Sequence, residues 1–260
     1  MAVPPITPIS PEFRRWRINI VAVTWLSYVG YYFCRKVFGI VKTDLALDYG
    51  FTDPELAHIW TAYLVAYMVG QFISAGVGRR LTCRRLLLIG MGTSLSVTAL
   101  VGAITRGGHE AFPAFVGFMA LNGVAQATGW PGNVGLLSKW TRRHERGTLM
   151  AVWATCYQIG AILAKHFAAF TLAMAGIAWS FWASSMVFLG IWFLFLFWGK
   201  DRPEDMGLPP LVEEVVLDED GVQDRAAGST IPQSQVMRVV VSMGMIYFCF
   251  KFIRYALDSW

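Results

Sequence analysis

The chain has 260 residues, of which 55% are hydrophobic and only 15% are charged, and its formal net charge is +5 at pH 7. Its mean hydropathy is +0.48. Ordinary soluble domains carry about a quarter of their residues as charges, so this composition excludes that class. It favours a protein that is built mainly from apolar, membrane-embedded segments.

Seven apolar segments follow one another along the chain. They cover residues 18–41, 56–78, 86–104, 112–137, 148–175, 178–198 and 237–257. Each has close to the ~20 residues that a helix needs to cross the hydrocarbon core of a bilayer, or more. The sequence therefore predicts an all-α membrane protein with seven spans. The first segment is of spanning length and lacks a small-residue cleavage pattern, which argues against a cleaved signal peptide.

Lysine and arginine are unevenly distributed between the loops. They crowd the N-terminal segment and the turns at 79–85 and 139–146, whereas the loops around 44–55, 106–110 and 176 contain few of them. Positively charged loops stay on the cytoplasmic side, so we predict a cytoplasmic N-terminus. The basic excess then reflects membrane topology and not nucleic-acid binding.

Residues 199–236 differ in composition from the rest of the chain. They contain nine acidic and three basic residues, together with several prolines and glycines. Such a segment predicts a mostly flexible, acidic cytoplasmic linker. We therefore expect a six-helix bundle at 1–198, a linker at 199–236 and a seventh helix at 237–260. The seventh helix would open a second half that continues beyond Trp260.

Two arginines lie deep within apolar segments. Arg35 and Arg254 each follow a predicted cytoplasmic basic cluster by 16 to 18 residues, which places both roughly 24–27 Å into their helices. A charge at such a position costs ~2.5–3.5 kcal/mol, so the matched depth predicts a shared anionic ligand. The alternatives are that Arg35 snorkels to the interface beside Lys36 and that Arg254 pairs with Asp258.

The first span carries three tyrosines in register with its arginine. Tyr28, Tyr31, Tyr32 and Arg35 occupy positions i, i+3, i+4 and i+7, which lie on one face of a helix. Tyrosine provides hydroxyl groups and aromatic walls, and the planar guanidinium suits phosphate or carboxylate. This face is the candidate binding surface.

The fourth span is interrupted by small and polar residues. Asn122, Gln126, Gly129, Pro131 and Asn133 all lie within it. Glycine permits close helix contact and proline loosens the backbone hydrogen bonds, so Gly129 and Pro131 indicate either tight packing or a hinge. Gln126 is a candidate for facing a polar cavity.

The sequence contains no pattern of soluble catalysis. It has no glycine-rich phosphate loop, no HExxH, no paired CxxC and no acid pair within a span. The four cysteines lack metal-ligand spacing. We therefore expect a protein that is not an enzyme and that has neither a cofactor nor a metal site.

Several motifs together carry a family resemblance. They lie at residues 31–36, 122–131, 146–153, 202–208 and 252–258. The chain resembles the major facilitator superfamily and, within it, the organophosphate:phosphate antiporter family. That family includes glycerol-3-phosphate and hexose-phosphate transporters, a hexose-phosphate sensor and the glucose-6-phosphate translocase group.

The resemblance implies a fold and a site. The fold has twelve helices in two six-helix halves, of which this chain would hold the N-terminal half and the seventh helix. The family's two phosphate-binding arginines fall on Arg35 and Arg254, and its pocket-lining tyrosines fall on Tyr28 and Tyr32. The two halves would rock about a site near the middle of the membrane.

Three positions depart from the family pattern. Gln71 replaces a lysine on the second helix, Tyr157 replaces a histidine on the fifth, and Arg79 replaces an acidic residue in the turn after the second helix. Gln71 and Tyr157 would line the site, and these two departures would change its substrate preference relative to other family members. Arg79 and Arg80 would act at the cytoplasmic gate, the alternative being a topology determinant that contacts lipid head groups.

The resemblance implies a secondary transporter that exchanges a sugar phosphate or glycerol phosphate for inorganic phosphate. The competing hypothesis is a transporter-like sensor that binds hexose phosphate and signals to a kinase. A third is a chain that does not transport until it pairs with a missing C-terminal half. Sixteen arginines against six lysines favour a bacterial inner membrane, the alternative being the endoplasmic reticulum. The substrate and the coupling ion stay open.

Overall fold

The structure is a computed structural model that describes residues 10–211 and 233–259. Every regular element in these ranges is a helix, so the predicted all-α class is confirmed. The chain divides into two units after Val212, and each is described by itself. The proposed boundary of the six-helix bundle at residue 198 stays a prediction.

Seven α-helices lie within residues 10–211. They are α1 to α7, at Pro11–Tyr49, Asp53–Val77, Cys83–Ile104, Phe112–Gln126, Gly129–Ser138, Arg143–Trp153 and Thr155–Trp198. Short 3-10 helices cover Thr105–Ala111 and Pro203–Met206. The second unit contributes α8, at Gln233–Ser259.

Local sequence signals define where the first helices begin and end. Ser10 caps α1 by accepting a hydrogen bond from the Phe13 backbone N–H at 3.1 Å, and Gly50 ends the helix with a φ of 73°. The Thr52 backbone N–H, which precedes α2, donates to the Glu55 carboxylate at 2.9 Å. Such caps satisfy backbone groups that a helix end leaves unpaired.

Three helical stretches of the described chain are long and apolar enough to cross a membrane. They are Asp53–Val77, Cys83–Ser138 and Arg143–Trp198. The last two have 56 residues each, or about 84 Å of helix against a hydrocarbon core of ~30 Å. Each changes direction at a glycine with positive φ, Gly108 at 57° and Gly176 at 83°, which glycine adopts readily.

Each 56-residue stretch therefore contains two of the predicted spans. Helix α1, with 39 residues, is also long enough to cross a bilayer. It is less apolar than the other three stretches because arginine, lysine and tyrosine residues interrupt its apolar sequence.

The fourth predicted span, at 112–137, is two helices in the structure. The helix breaks between α4 and α5 at Ala127 and Thr128. Pro131 has no N–H, so it cannot bond the Ala127 carbonyl one turn earlier, and Thr128 tightens to bond the Ala125 carbonyl at 3.3 Å. The span predicted at 148–175 likewise begins at Arg143 and is broken at Ala154.

Small residues bring the helices of the first unit close together. Helix α1 packs along α7, and α2 packs along α4. A Cβ on Gly70 of α2 would lie only 2.8 Å from the Ala127 Cβ and 2.9 Å from the Val124 Cα. In a membrane, where burial drives helix association weakly, such close contact is a main source of packing energy.

The start of the acidic connector is packed against the first unit. Pro203 and Leu208 are buried, and the Asp201 carboxylate accepts hydrogen bonds from the Arg84 backbone N–H at 3.1 Å and from Lys139 Nζ at 2.6 Å. The prediction of a flexible linker is therefore wrong for residues 199–211. Residues 212–232 lie outside the described part of the chain.

We predict that Gly123→Ala destabilises the first unit. A Cβ at this position would overlap the Tyr63 carbonyl and lie 3.0 Å from the Tyr67 backbone nitrogen, so α2 and α4 would have to separate. The expected result is a melting temperature several degrees lower in detergent. Gly117→Ala is the matched control on α4, because a Cβ there meets nothing within 4 Å. Equal melting temperatures for the two variants would contradict this packing argument.

Candidate functional site

Arg35 extends from α1 into the interior of the bundle. Its Nε donates a hydrogen bond to Gln126 Oε1 at 3.2 Å, and its guanidinium carbon lies 5.1 Å from the ring centres of both Tyr32 and Tyr67. Its Nη2 is buried and has no hydrogen-bond partner among the described residues. The side chain thus points toward α4 and does not snorkel to a lipid interface.

Gln126 belongs to a buried polar cluster that joins three helices. Its Nε2 donates to the Tyr31 carbonyl of α1 at 3.0 Å and to Ser94 Oγ of α3 at 2.9 Å. Ser94 in turn donates to Asn122 Oδ1 at 2.7 Å. We call Arg35, Gln126, Ser94 and Asn122 the Arg35 network.

Aromatic rings extend from Arg35 along α1. The Tyr32 and Tyr28 ring centres are 5.8 Å apart. The Tyr28 ring centre lies 5.6 Å from that of Trp130 and 5.4 Å from that of Trp153. Both tyrosines are buried in the first unit. The structure therefore brings together Tyr28, Tyr32 and Arg35, three of the four residues predicted on this face, and adds two tryptophans from α5 and α6.

Helix α2 supplies residues that the sequence analysis missed. The Tyr67 ring contacts Arg35. The ring centres of Tyr67 and Tyr63 are 6.2 Å apart, and Trp60 stacks on Tyr63 with ring centres 4.8 Å apart. With Gln71, these residues occupy positions i, i+3, i+7 and i+11, which share one face of a helix. That spacing was the available signal.

Two further predicted site residues lie nearby in the fold. Gln71 is half-buried and lies one turn beyond Tyr67 on α2. Tyr157, in the first turn of α7, is half-buried and packs against the apolar cluster that includes Tyr28, Tyr32 and Trp153. Their part in substrate binding stays a prediction.

The predicted hinge residues lie beside the break between α4 and α5. A Cβ on Gly129 would lie 3.0 Å from the Tyr31 ring, and the Tyr31 hydroxyl is hydrogen-bonded to Thr128 Oγ1 at 2.9 Å. Pro131 follows in the first turn of α5. The break is thus held against the helix that carries Arg35, while movement at Gly129 and Pro131 stays a prediction.

The two arginines predicted at the gate are exposed. Arg79 and Arg80 lie in the turn between α2 and α3, with their side chains open to the surroundings. Arg84 makes the contacts instead, because its Nη2 donates to the Leu196 carbonyl at 2.7 Å and its Nε donates to the Gly199 carbonyl at 2.5 Å. Arg84 therefore ties the start of α3 to the end of α7.

Arg254 lies in α8. Its side chain is outside the described part of the structure, as is that of Asp258, the partner considered for it. The proximity of Arg254 to Arg35 stays a prediction.

Comparison with known proteins places this geometry in a family. The sequence pattern of the Major Facilitator Superfamily matches residues 24–260. The chain belongs to that superfamily. It is a multi-pass membrane protein, and its helices form part of the major facilitator fold.

Curated relatives are similar to it at low identity. The "Probable hexose phosphate transport protein" of Chlamydia pneumoniae is 29% identical over 203 residues, which are 78% of this chain and 44% of that protein. The "Glycerol-3-phosphate transporter" of Bacillus subtilis (strain 168) is also 29% identical over 203 residues, 77% of this chain and 45% of that protein. The "Membrane sensor protein UhpC" of Escherichia coli (strain K12) is 27% identical over 265 residues, 97% of this chain and 58% of that protein.

These relatives confirm the resemblance to the organophosphate:phosphate antiporter family. They are named as transporters and a sensor, which supports in general terms the expectation that the chain is not an enzyme. The chain spans about half the length of the curated relatives it matches.

We predict that Arg84→Ala destabilises the first unit where α3 begins and α7 ends. The substitution removes two charge-assisted hydrogen bonds to carbonyl groups of the α7 end and its connector, each worth about 1–3 kcal/mol. A lower melting temperature and faster proteolysis near residue 199 are the expected results. Arg85→Ala is the matched control, since the Arg85 side chain is exposed. Equal sensitivity of both variants would contradict this assignment.

Proposed function

We propose that the protein is a secondary transporter that binds an organophosphate through Arg35. The observation that carries this proposal is the guanidinium inside the bundle, whose Nη2 is buried without a hydrogen-bond partner among the described residues. Arg35 as a whole is half-buried, and a cation with a buried, unpaired N–H group favours an anionic ligand, because leaving such a group uncompensated is costly. The transporters of hexose phosphate and glycerol-3-phosphate among the relatives support the same ligand class.

The surroundings of Arg35 suit a phosphate group. Among the residues that the structure describes, the groups seen against it are the neutral Gln126 amide and two tyrosine rings. None of these cancels its positive charge, so the guanidinium fork stays available for two phosphate oxygens. We propose that Arg254 binds the same phosphate from the second half.

The remaining predicted residues have roles in the same proposal. Tyr28, Tyr32, Gln71 and Tyr157 line the pocket and select the organic part of the substrate. Gly129 and Pro131 let α5 move against α4, and Arg79 and Arg80 act at the cytoplasmic gate. We propose that the substrate exchanges with inorganic phosphate by alternating access, because both ligands carry the group that Arg35 would bind.

We propose an orientation with the N-terminus and the connector in the cytoplasm of a bacterial cell. Phe13 packs on Trp140 with ring centres 5.7 Å apart, and Arg17 pairs with Glu145 at 2.5 Å. Lys139 and Asp201 join the same end of the first unit. The arginine-rich segments thus share one end of the bundle, as the positive-inside rule requires.

The first test replaces Arg35 in the protein expressed from its complete reading frame. Arg35→Ala is expected to abolish binding of glucose 6-phosphate, glycerol 3-phosphate and inorganic phosphate, and exchange in liposomes should stop. Arg35→Lys should also bind poorly, because a single ammonium lacks the planar fork. Arg106→Ala is the control, since that arginine is exposed and stacks on Trp182. Wild-type affinity in Arg35→Ala would overturn the proposal.

The second test addresses orientation. Trypsin added to inside-out vesicles is expected to cleave at Arg225 in the acidic connector, because the positive-inside rule places residues 199–236 in the cytoplasm. Right-side-out vesicles should protect that site. Cleavage from the outer side alone would reverse the topology.

The sensor relative favours a second candidate function. The similarity to UhpC extends over 97% of this chain, so a protein that binds an organophosphate without transporting it is the alternative, with a kinase as its partner. Exchange in proteoliposomes separates the two, since a sensor would bind ligand through Arg35 and yet accumulate none.

A further inference from the structure

The Arg35 network runs from one helix to the next in a single hydrogen-bonding direction. Arg35 donates to Gln126, Gln126 donates to Ser94, and Ser94 donates to Asn122. Asn122 Nδ2 then donates to the Cys34 carbonyl over a longer 3.5 Å. The series of hydrogen bonds therefore starts at Arg35 of α1 and ends at the neighbouring residue of the same helix, Cys34.

Counting hydrogens determines how the Gln126 amide is oriented. A serine hydroxyl has one hydrogen, and that of Ser94 goes to Asn122, so Ser94 must accept from its other neighbour. The Tyr31 carbonyl can only accept. Both hydrogens of the Gln126 amide are thus used, and its oxygen is left to face Arg35. A flipped amide would direct its N–H groups at the guanidinium and break three bonds.

Burial makes this orientation costly to change. Ser94, Asn122 and Gln126 each expose no more than 1% of their surface. A polar group that loses its partner in such a place cannot turn to water. The network therefore holds the Gln126 oxygen in place, and through it the Nε edge of the guanidinium.

The acceptor is an amide, and that choice has a chemical consequence. A carboxylate at position 126 would form an ion pair with Arg35 and cancel the charge that attracts an anion. The amide oxygen binds one edge of the guanidinium without adding charge. The remaining N–H groups keep their attraction for a ligand.

We propose that Gln126 and Ser94 are positioning residues, which aim Arg35 at the phosphate group of the substrate without contacting the substrate themselves. This inference rests on the proposed function, because it assumes that Arg35 binds phosphate. It assigns a role to Ser94, a buried residue on α3. It also moves Gln126 from the set of predicted substrate contacts to the support behind Arg35.

Positioning through Arg35 has a measurable signature. Inorganic phosphate and a sugar phosphate present the same group to Arg35, so a misaimed guanidinium weakens both ligands by the same factor. A residue that contacts the sugar would weaken the sugar phosphate alone. The ratio of the two dissociation constants therefore separates the two roles.

The experiment measures binding of inorganic phosphate and glucose 6-phosphate to the purified protein from its complete reading frame. Gln126→Ala is expected to weaken both by about tenfold or more, the usual effect of losing a hydrogen bond to a charged group. Gln126→Glu should weaken both further, because its carboxylate competes for Arg35. Ser94→Ala, which removes one oxygen atom, should weaken both in the same ratio but less.

The matched control is Thr98→Val. Thr98 lies one turn further along α3, is equally buried, and donates to the Ser94 carbonyl within its own helix. Its loss leaves the Arg35 network intact, so affinity should not change. Melting temperatures identify any variant that fails to fold. If the Gln126 variants fail, the smaller Ser94→Ala substitution tests the inference.

Three results would decide against parts of this scheme. Loss of sugar phosphate binding alone in Gln126→Ala would overturn the positioning role. Unchanged affinity in both Gln126→Ala and Ser94→Ala, with loss in Arg35→Ala, would overturn the inference and leave the proposed function standing. Unchanged affinity in Arg35→Ala would overturn the proposed function itself.

Discussion

A guanidinium within an apolar bundle is the constraint on which the rest of this structure depends. The cation of Arg35 cannot be left among methyl groups, so the bundle surrounds it with an amide oxygen and two aromatic faces. These partners stabilise the charge without neutralising it. The arrangement keeps the guanidinium charged inside the protein, and the proposed binding of an anion rests on that.

The packing around Arg35 follows from that arrangement. Helices α1, α3 and α4 share the hydrogen bonds of the Arg35 network. Small residues let α2, which also borders Arg35, pack closely on α4, as at Gly70 and Gly123. At the break, the Thr128 hydroxyl is hydrogen-bonded to the hydroxyl of Tyr31 on α1. The irregular part of the fourth span is therefore connected to the site through the helix that carries Arg35.

The basic end of the bundle is governed by a different requirement. Charged groups there meet water and lipid head groups, so they can pair with each other and with backbone carbonyls at lower cost. The Arg84 side chain donates to a backbone carbonyl at the end of α7. The Asp201 carboxylate accepts hydrogen bonds from the Arg84 backbone N–H and from Lys139. The connector consequently begins as an ordered extension of the bundle.

The sequence by itself determined the all-α class, the apolar segments and the presence of a charged residue, Arg35, within one of them, because hydropathy and the cost of a buried charge are local properties. Helical spacing also placed Tyr28 and Tyr32 beside it. Only the tertiary structure decided which residue faces Arg35 across the bundle. Gln126 and Tyr67 are 91 and 32 positions away in the chain, and no periodicity within one helix specifies how two helices are rotated against each other. That rotation is set by the packing of side chains from all helices at once, and it decides which residues contact Arg35.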